Sequence, residues 1–203
     1  MPLSAELVRS NLDRVRGEVG PDVRVLVATK YVSLEDMGTL AEAGVDLVGE
    51  NRLQDLEAKH ARLGDSFTWH FIGHLQSRKA PDVSRLVELV HSLDSSSAAR
   101  RLTAPALVEV NLSREDTKSG VRPEELDSFL AEARELGVDV RGLMTMPPLA
   151  ADPEGSRPFF RRLRELADER GLSVLSMGTS QDYRVAAEEG ATVVRVGSRL
   201  FER

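Results

Sequence analysis

The sequence predicts an α/β fold of the TIM (β/α)8 barrel type, in a single domain over residues 1–203 that begins with one extra helix. Three observations support this prediction. Short apolar runs alternate with longer amphipathic runs along the whole chain, a pattern typical of βαβ units around a parallel sheet. Eight such units can be distinguished, which is the number that closes a barrel. A length of 203 residues is enough for one compact barrel with short loops.

The first half of the chain contains the extra helix and four strand–helix units. Leu7, Val8, Leu12 and Val15 recur at helical spacing after Ser4, a residue type that is favoured at a helix N-cap. The predicted strands of this half are 23–28, 45–48, 68–72 and 87–92, and the predicted helices are 4–18, 33–43, 52–63, 79–86 and 97–102.

The second half repeats the alternation, with glycine or proline at most element boundaries. Pro123 lies in the first turn of a predicted helix, and Gly137, Gly171 and Gly190 each follow a helix end. The predicted strands are 106–111, 138–144, 172–176 and 192–196, and the predicted helices are 123–136, 157–170, 181–189 and a short one from 198. A doubly wound open sheet is the alternative. It usually has fewer strands and often a glycine-rich first turn, which residues 28–31 do not provide.

Composition limits the class of function. The formal net charge of -6 argues against a general nucleic-acid binder, which normally carries a basic face. The absence of cysteine excludes disulfides, thiolate metal sites and thiol nucleophiles. The N-terminal segment has the charges of an ordinary helix and no signal-peptide core, and no apolar run approaches the length that spans a bilayer. We therefore expect a cytoplasmic protein that binds neither nucleic acid nor membrane.

Lys30 is the most informative residue at a predicted strand end. Barrel enzymes carry their chemistry where the strands end, on the C-terminal face, and Lys30 directly follows the first apolar strand. Partial desolvation there would favour the neutral amine that Schiff-base chemistry requires. The alternative is a surface lysine whose ammonium simply reaches water.

The loops after predicted strands seven and eight both suit an anion. They contain Gly178, Thr179 and Ser180 in one case and Gly197 and Ser198 in the other, and each leads into a predicted helix. Glycine lets backbone N–H groups approach an anion, hydroxyls add donors, and a helix N-terminus favours negative charge. Ordinary N-capping by the two serines is the alternative. A carbonyl-reactive lysine beside a phosphate site indicates a phosphorylated aldehyde, of which pyridoxal 5'-phosphate is the common one.

The histidines give a weaker signal. His70 and His74 are four residues apart on a strand end, and no carboxylate or cysteine completes a metal set, so no metal is predicted. Trp69 and His70 should face opposite sides of the sheet. If Trp69 packs under the helices, His70 points into the barrel, either as a satisfied core histidine or as part of the pocket.

A series of short motifs runs over essentially the whole chain. They are Ala28-Thr29-Lys30, Gly49-Glu50-Asn51, Trp69-His70-Phe71-Ile72-Gly73, Lys118-Ser119-Gly120, Arg141-Gly142-Leu143-Met144 and Val194-Arg195-Val196-Gly197. In this order and spacing they are specific. By them the chain resembles the pyridoxal phosphate homeostasis proteins, which look like the N-terminal barrel of alanine racemase standing alone. Two departures from the family pattern are Arg78, where asparagine is common, and Thr179, where methionine is usual.

The resemblance implies roles for individual residues. Lys30 would form the Schiff base, Arg195 would lie beside the pyridine nitrogen, and Asn51 would lie near the ring. The alternative for Arg195 is an ion pair with Glu109. Lys118 would lie in a mobile loop that takes part in cofactor transfer. The remaining predicted cofactor-binding residues are His70, Met144, Gly178, Thr179, Ser180, Gly197 and Ser198. No catalytic residue is predicted.

The resemblance also implies a function, a monomeric carrier of pyridoxal phosphate in vitamin B6 homeostasis without a classical catalytic activity, with pyridoxal-phosphate-dependent apoenzymes as candidate acceptors. The first alternative is a fold-type III enzyme, a racemase or decarboxylase. Such enzymes add a C-terminal β-domain, for which the segment after predicted strand eight leaves no room. The second is a sugar-phosphate aldolase that uses Lys30, although an aldolase lysine more typically comes from a middle or later strand.

Overall fold

The computed structural model describes residues 3–115 and 118–202, which form eight parallel strands closed into one barrel in the order of the chain. The strands are β1 Arg24–Ala28, β2 Leu47–Glu50, β3 Thr68–Phe71, β4 Leu89–Leu93, β5 Ala106–Glu109, β6 Val140–Met144, β7 Val174–Thr179 and β8 Val193–Val196. Strand β1 pairs with both β2 and β8, so the sheet has no edge. The predicted barrel is confirmed, and the open sheet is wrong.

The helices surround the barrel. They are α1 Ala5–Val19, α2 Met37–Glu42, α3 Leu53–Leu63, α4 Ala80–Ser84, α5 Ser96–Ala99, α6 Leu126–Glu135, α7 Arg157–Asp168, α8 Tyr183–Glu188 and α9 Ser198–Phe201. The predicted extra helix is α1, capped by the Ser4 side chain, which accepts from the Leu7 N–H. Within the described ranges, no helix is long and apolar enough to cross a membrane.

Several boundaries differ from the prediction for local reasons. Helix α2 begins at Met37, not at Ser33, because the Ser33 hydroxyl accepts from the Asp36 N–H at 3.1 Å and holds a turn before the helix. Strand β7 continues to Thr179, three residues beyond its predicted end. Helices α8 and α9 have only six and four residues, so the helix dipole that was expected at the two anion loops is weak.

The core has two layers that follow from strand alternation. On β1, Val25 and Val27 face outward and join the large apolar cluster that packs against the helices, whereas Leu26 faces the barrel interior. The interior is apolar at its N-terminal end, where Leu26 meets Leu47 and Val193. Nearer the C-terminal end the barrel contains the buried polar residues His91, Ser176 and Arg195, and Arg195 also lines the cleft at that end.

Candidate functional site

A cleft of about 330 Å3 opens at the C-terminal end of the barrel, between the ends of strands β1, β2, β7 and β8. Its volume lies at the lower end of the range for small-molecule sites. Ten cofactor-binding residues were predicted from the sequence. Seven of them line this cleft: Lys30, Asn51, Thr179, Ser180, Arg195, Gly197 and Ser198. They come from three widely separated parts of the chain, and closure of β1 against β8 brings them together.

Lys30 lies two residues beyond the end of β1 and is exposed, so the partial burial that the sequence predicted is wrong. Its Nζ atom lies 4.7 Å from the centre of the Tyr31 ring, and no ion pair joins it to a carboxylate in the described part of the chain. The amine is therefore accessible to a carbonyl compound that enters the cleft.

The two anion loops are tied to each other. The Ser180 hydroxyl accepts from the Gly197 N–H at 3.1 Å, which leaves its own O–H free to donate. The Thr179 N–H and hydroxyl both donate to Asp182 Oδ1, at 2.7 and 3.1 Å. Ser198 is exposed as the first residue of α9, with Gly197 at the cap position. Neither serine caps a helix, so the capping alternative is wrong.

Asn51 presents an unsatisfied acceptor in the cleft. Its Oδ1 atom is buried and has no hydrogen-bond partner among the described residues, and a buried polar atom without a partner costs free energy. The loop after β3 passes very close to Asn51, because a Cβ atom on Gly73 would lie 1.9 Å from the Asn51 carbonyl oxygen. Asn51 is therefore held at the cleft by a glycine contact and offers an oxygen that a ligand donor could satisfy.

Arg195 forms the wall between the cleft and the barrel interior. Its side chain is buried, and it donates to the Ser176 carbonyl at 2.9 Å, the Ser176 hydroxyl at 2.6 Å and the Thr145 carbonyl at 3.1 Å. Burial lowers the pKa of Arg195 to about 10, so it remains protonated at neutral pH. No ion pair joins it to Glu109 within the described residues, so the alternative proposed for this residue is wrong.

Three predicted site residues lie outside the cleft. His70 points into the barrel, as expected, and its Nδ1 atom lies 2.9 Å from His91 Nε2. Burial lowers the pKa of His70 to about 3, so the ring is neutral. Met144 packs with the interior residues Leu89 and Leu107. Gly178 has φ +88°, and a Cβ atom there would lie 2.5 Å from Ala186 Cβ, so this glycine is needed for helix packing.

Some cleft residues were missed by the sequence argument. Tyr31 and Leu149 are 86% and 84% exposed at the mouth, and Met146 is also exposed. The sequence contained features that could have indicated these residues, since Tyr31 follows Lys30 and an apolar Met146-Pro147-Pro148-Leu149 run follows β6. The other missed residues are Ala28, Ile72, Gln181 and Phe201.

The predicted transfer loop surrounds Lys118. Residues 116 and 117 of the loop lie outside the described residues, and Lys118 Nζ lies 3.3 Å from Glu115 Oε1. Its predicted mobility stays a prediction.

Across 3–115 and 118–202, no group of three or more histidines and carboxylates is placed to hold a metal ion.

The chain is similar in sequence to a known protein family and to several of its members. The family described as alanine racemase, N-terminal domain, matches residues 3–202. The pyridoxal phosphate homeostasis protein of Aquifex aeolicus is 43% identical over 195 residues, which cover 88% of this chain and 86% of that protein. The corresponding protein of Deinococcus radiodurans is 39% identical, with 91% of both chains covered.

This chain belongs to the pyridoxal phosphate homeostasis protein family. A solved member of similar fold is PipY of Synechococcus elongatus PCC7942, at 32% identity over 96% of this chain and all of that chain. Its structure with pyridoxal phosphate bound has a TM-score of 0.86, and its structure without the cofactor has a TM-score of 0.87. The family that the motifs indicated is therefore confirmed.

Proposed function

We propose that this protein binds pyridoxal 5'-phosphate in the Lys30 cleft and carries it in vitamin B6 homeostasis. The single observation that carries the proposal is the set of groups in one cleft that have no hydrogen-bond or ion-pair partner among the described residues: the Lys30 amine, the exposed Ser198 hydroxyl and the buried Asn51 oxygen. When bound, the cofactor supplies an aldehyde that condenses with a primary amine and an aromatic ring that withdraws electrons.

Each of these groups fits one part of that molecule. The Lys30 amine suits the aldehyde. The Ser180 and Ser198 hydroxyls can donate to a phosphate dianion, and hydrogen bonds to charged acceptors are the strong ones. The Asn51 side chain has an unpaired buried oxygen in the same cleft, and its amide can form a hydrogen bond to the ring side of the cofactor. The pyridine nitrogen, an acceptor, suits Arg195, which can only donate.

Arg195 also supports carriage over catalysis. Because its guanidinium is held by Ser176 and Thr145 and stays protonated at neutral pH, it would keep an adjacent ring nitrogen unprotonated. An unprotonated ring withdraws electrons less well than a pyridinium. A bound amino acid would therefore gain little activation, which suits a protein that stores its cofactor. The exposed Tyr31, Met146 and Leu149 at the mouth support delivery to other proteins, with pyridoxal-phosphate-dependent apoenzymes as the acceptors.

The test of binding uses the small number of lysines in the chain. There are four, Lys30, Lys59, Lys79 and Lys118, and Lys59 is buried against Glu50. The protein is incubated with pyridoxal phosphate, reduced with borohydride and mapped by peptide mass spectrometry. The adduct is expected on Lys30 and is expected to disappear in Lys30→Ala but not in Lys79→Ala. An adduct mainly on Lys79 or Lys118 would contradict the proposal.

A further inference from the structure

A buried polar cluster lies directly behind the cleft. Glu50 at the end of β2 and Thr29 after β1 are fully buried, and Lys59 on α3 is 5% exposed. Lys59 Nζ lies 2.5 Å from Glu50 Oε1 and donates to the Thr29 carbonyl at 2.9 Å. The Thr29 hydroxyl donates to the same Glu50 oxygen at 2.6 Å. We refer to Thr29, Glu50 and Lys59 as the buried triad.

The triad is connected to the cleft through the backbone. The Thr29 carbonyl that accepts from Lys59 belongs to the peptide bond that joins Thr29 to Lys30. The other oxygen of Glu50, Oε2, accepts from the Asn51 backbone N–H at 3.3 Å. Both Lys30 and Asn51 therefore leave the barrel from peptide units that the triad holds.

Stability alone does not account for such a cluster. Removing two charges from water costs about as much as their attraction returns, so a buried ion pair is weak evidence for stabilisation. The Lys30 side chain, in contrast, is exposed, and its one contact among the described residues is with the Tyr31 ring. Because this side chain has several rotatable bonds and no ion pair within the described part of the chain, its reach into the cleft depends on where its backbone is anchored.

We propose that Thr29, Glu50 and Lys59 are positioning residues that fix the backbone from which Lys30 and Asn51 enter the cleft. The proposal rests on the proposed function in one respect, that Lys30 is the amine for the cofactor. The competing explanation is structural, namely that Lys59 merely fastens α3 to the barrel. If the triad has a positioning role, a triad variant changes cofactor affinity and the absorbance of the Lys30 adduct as well as stability. If its role is only structural, the variant changes cofactor binding no more than an equally destabilising variant elsewhere on α3.

The main test compares Lys59→Met with Leu56→Ala, a variant of a fully buried residue on the same helix. Both are expected to lower the melting temperature. Only Lys59→Met is expected to weaken pyridoxal phosphate binding, by about tenfold to a hundredfold, since a displacement near 1 Å of a reacting group has an effect of that order. It should also shift the absorbance maximum of the Lys30 adduct. Parent-like affinity and spectrum in Lys59→Met, or an equal loss in Leu56→Ala, would overturn the proposal.

A second pair of variants covers the case in which Lys59→Met does not fold. Thr29→Val keeps the branched shape of the side chain and removes the hydroxyl that Glu50 accepts, whereas Thr29→Ser keeps the hydroxyl. The valine variant is expected to lose affinity by about tenfold or more, and the serine variant to retain it. Equal affinity in the two variants contradicts a positioning role.

A cofactor-free measurement separates this proposal from the proposed function. Amide hydrogen exchange can be measured at two backbone N–H groups that donate to atoms of the triad. The Asn51 N–H donates to Glu50 Oε2, and the Val32 N–H donates to the Thr29 carbonyl at 2.8 Å. Their exchange rates therefore show how firmly the triad holds the backbone. Both amides should exchange at least about tenfold faster in Thr29→Val and Lys59→Met than in the parent, but not in Leu56→Ala. If borohydride labels no Lys30 in the parent, the proposed function fails while this exchange pattern still tests the anchor. Unchanged exchange in both triad variants overturns the positioning role.

Discussion

Glu109 offers a stability prediction that follows from its place in the barrel. It ends β5 beside the polar interior, and burial, together with the nearby charge of Asp94, raises its pKa to about 7 from an ordinary 4.5, against the opposing effect of Arg195. The folded protein therefore holds this proton more tightly than the unfolded chain. A group of this kind favours the folded state at low pH, and that contribution is lost as the pH rises from about 4.5 through 7.

The perturbation is Glu109→Gln, which mimics the protonated carboxyl at every pH. A pKa difference between about 7 and 4.5 corresponds to about 3 kcal/mol at 1.36 kcal/mol per unit. The variant is therefore expected to match the parent near pH 4. Its free energy of unfolding should exceed that of the parent by about 3 kcal/mol at pH 8.

The assay is urea unfolding of parent and variant across this pH range, and the difference between them is the informative quantity. The parent alone would mislead, because burial lowers the pKa values of His70 and His91. Those groups destabilise the fold as the pH falls below the unfolded histidine value and so produce the opposite slope. Subtraction removes this shared contribution. Glu135→Gln, at an exposed position on α6, is the control and should give a flat difference.

The reasoning on Glu109 is refuted by a difference that does not change with pH. It is also refuted by a difference that grows toward acid, because that sign would mean that the folded state favours the carboxylate.

Three further predictions concern the cleft and its support. Lys30→Ala should abolish the visible absorbance of the protein–cofactor adduct with little change in melting temperature, because the side chain is exposed; unchanged absorbance would contradict it. Ser180→Ala should weaken pyridoxal phosphate binding by roughly tenfold or more in an absorbance titration, since a hydrogen bond to a charged group contributes about 1.5–3 kcal/mol; equal binding of unphosphorylated pyridoxal by the parent would contradict this reasoning. Asn11→Ala should lower the free energy of unfolding in urea by about 1–3 kcal/mol, because buried Asn11 donates to the Leu200 and Glu202 carbonyls; a loss below about 0.5 kcal/mol would show that water replaces these bonds.

Much of the site was predictable because the C-terminal ends of all strands lie on the same face of a parallel barrel. Once β1, β7 and β8 were recognised, Lys30, Ser180 and Ser198 had to meet at one face. Side-chain direction was less predictable near strand ends. Met144 was expected in the cleft, yet it points to the interior layer and Met146, two residues further, lines the cleft instead.

The triad behind the cleft was not predictable at all. In the sequence, Lys59 has the appearance of a solvated position on an amphipathic helix, and charged residues of that kind are usually exposed. Its burial follows from how α3 lies across the ends of β1 and β2, where Glu50 and the Thr29 carbonyl provide partners. Nothing in the spacing of these residues indicates that contact.

The sequence by itself determined the number and order of the elements, because hydrophobic periodicity, capping residues and turn glycines act over a few residues. It also determined the family, through motifs that keep their order along the chain. Only the tertiary structure decided that Lys30 is exposed, that Asn51 keeps an unpaired oxygen, and that Glu109 has a raised pKa. Burial, hydrogen-bond satisfaction and charge coupling depend on distances between residues far apart in the chain, and those distances exist only after the barrel has closed.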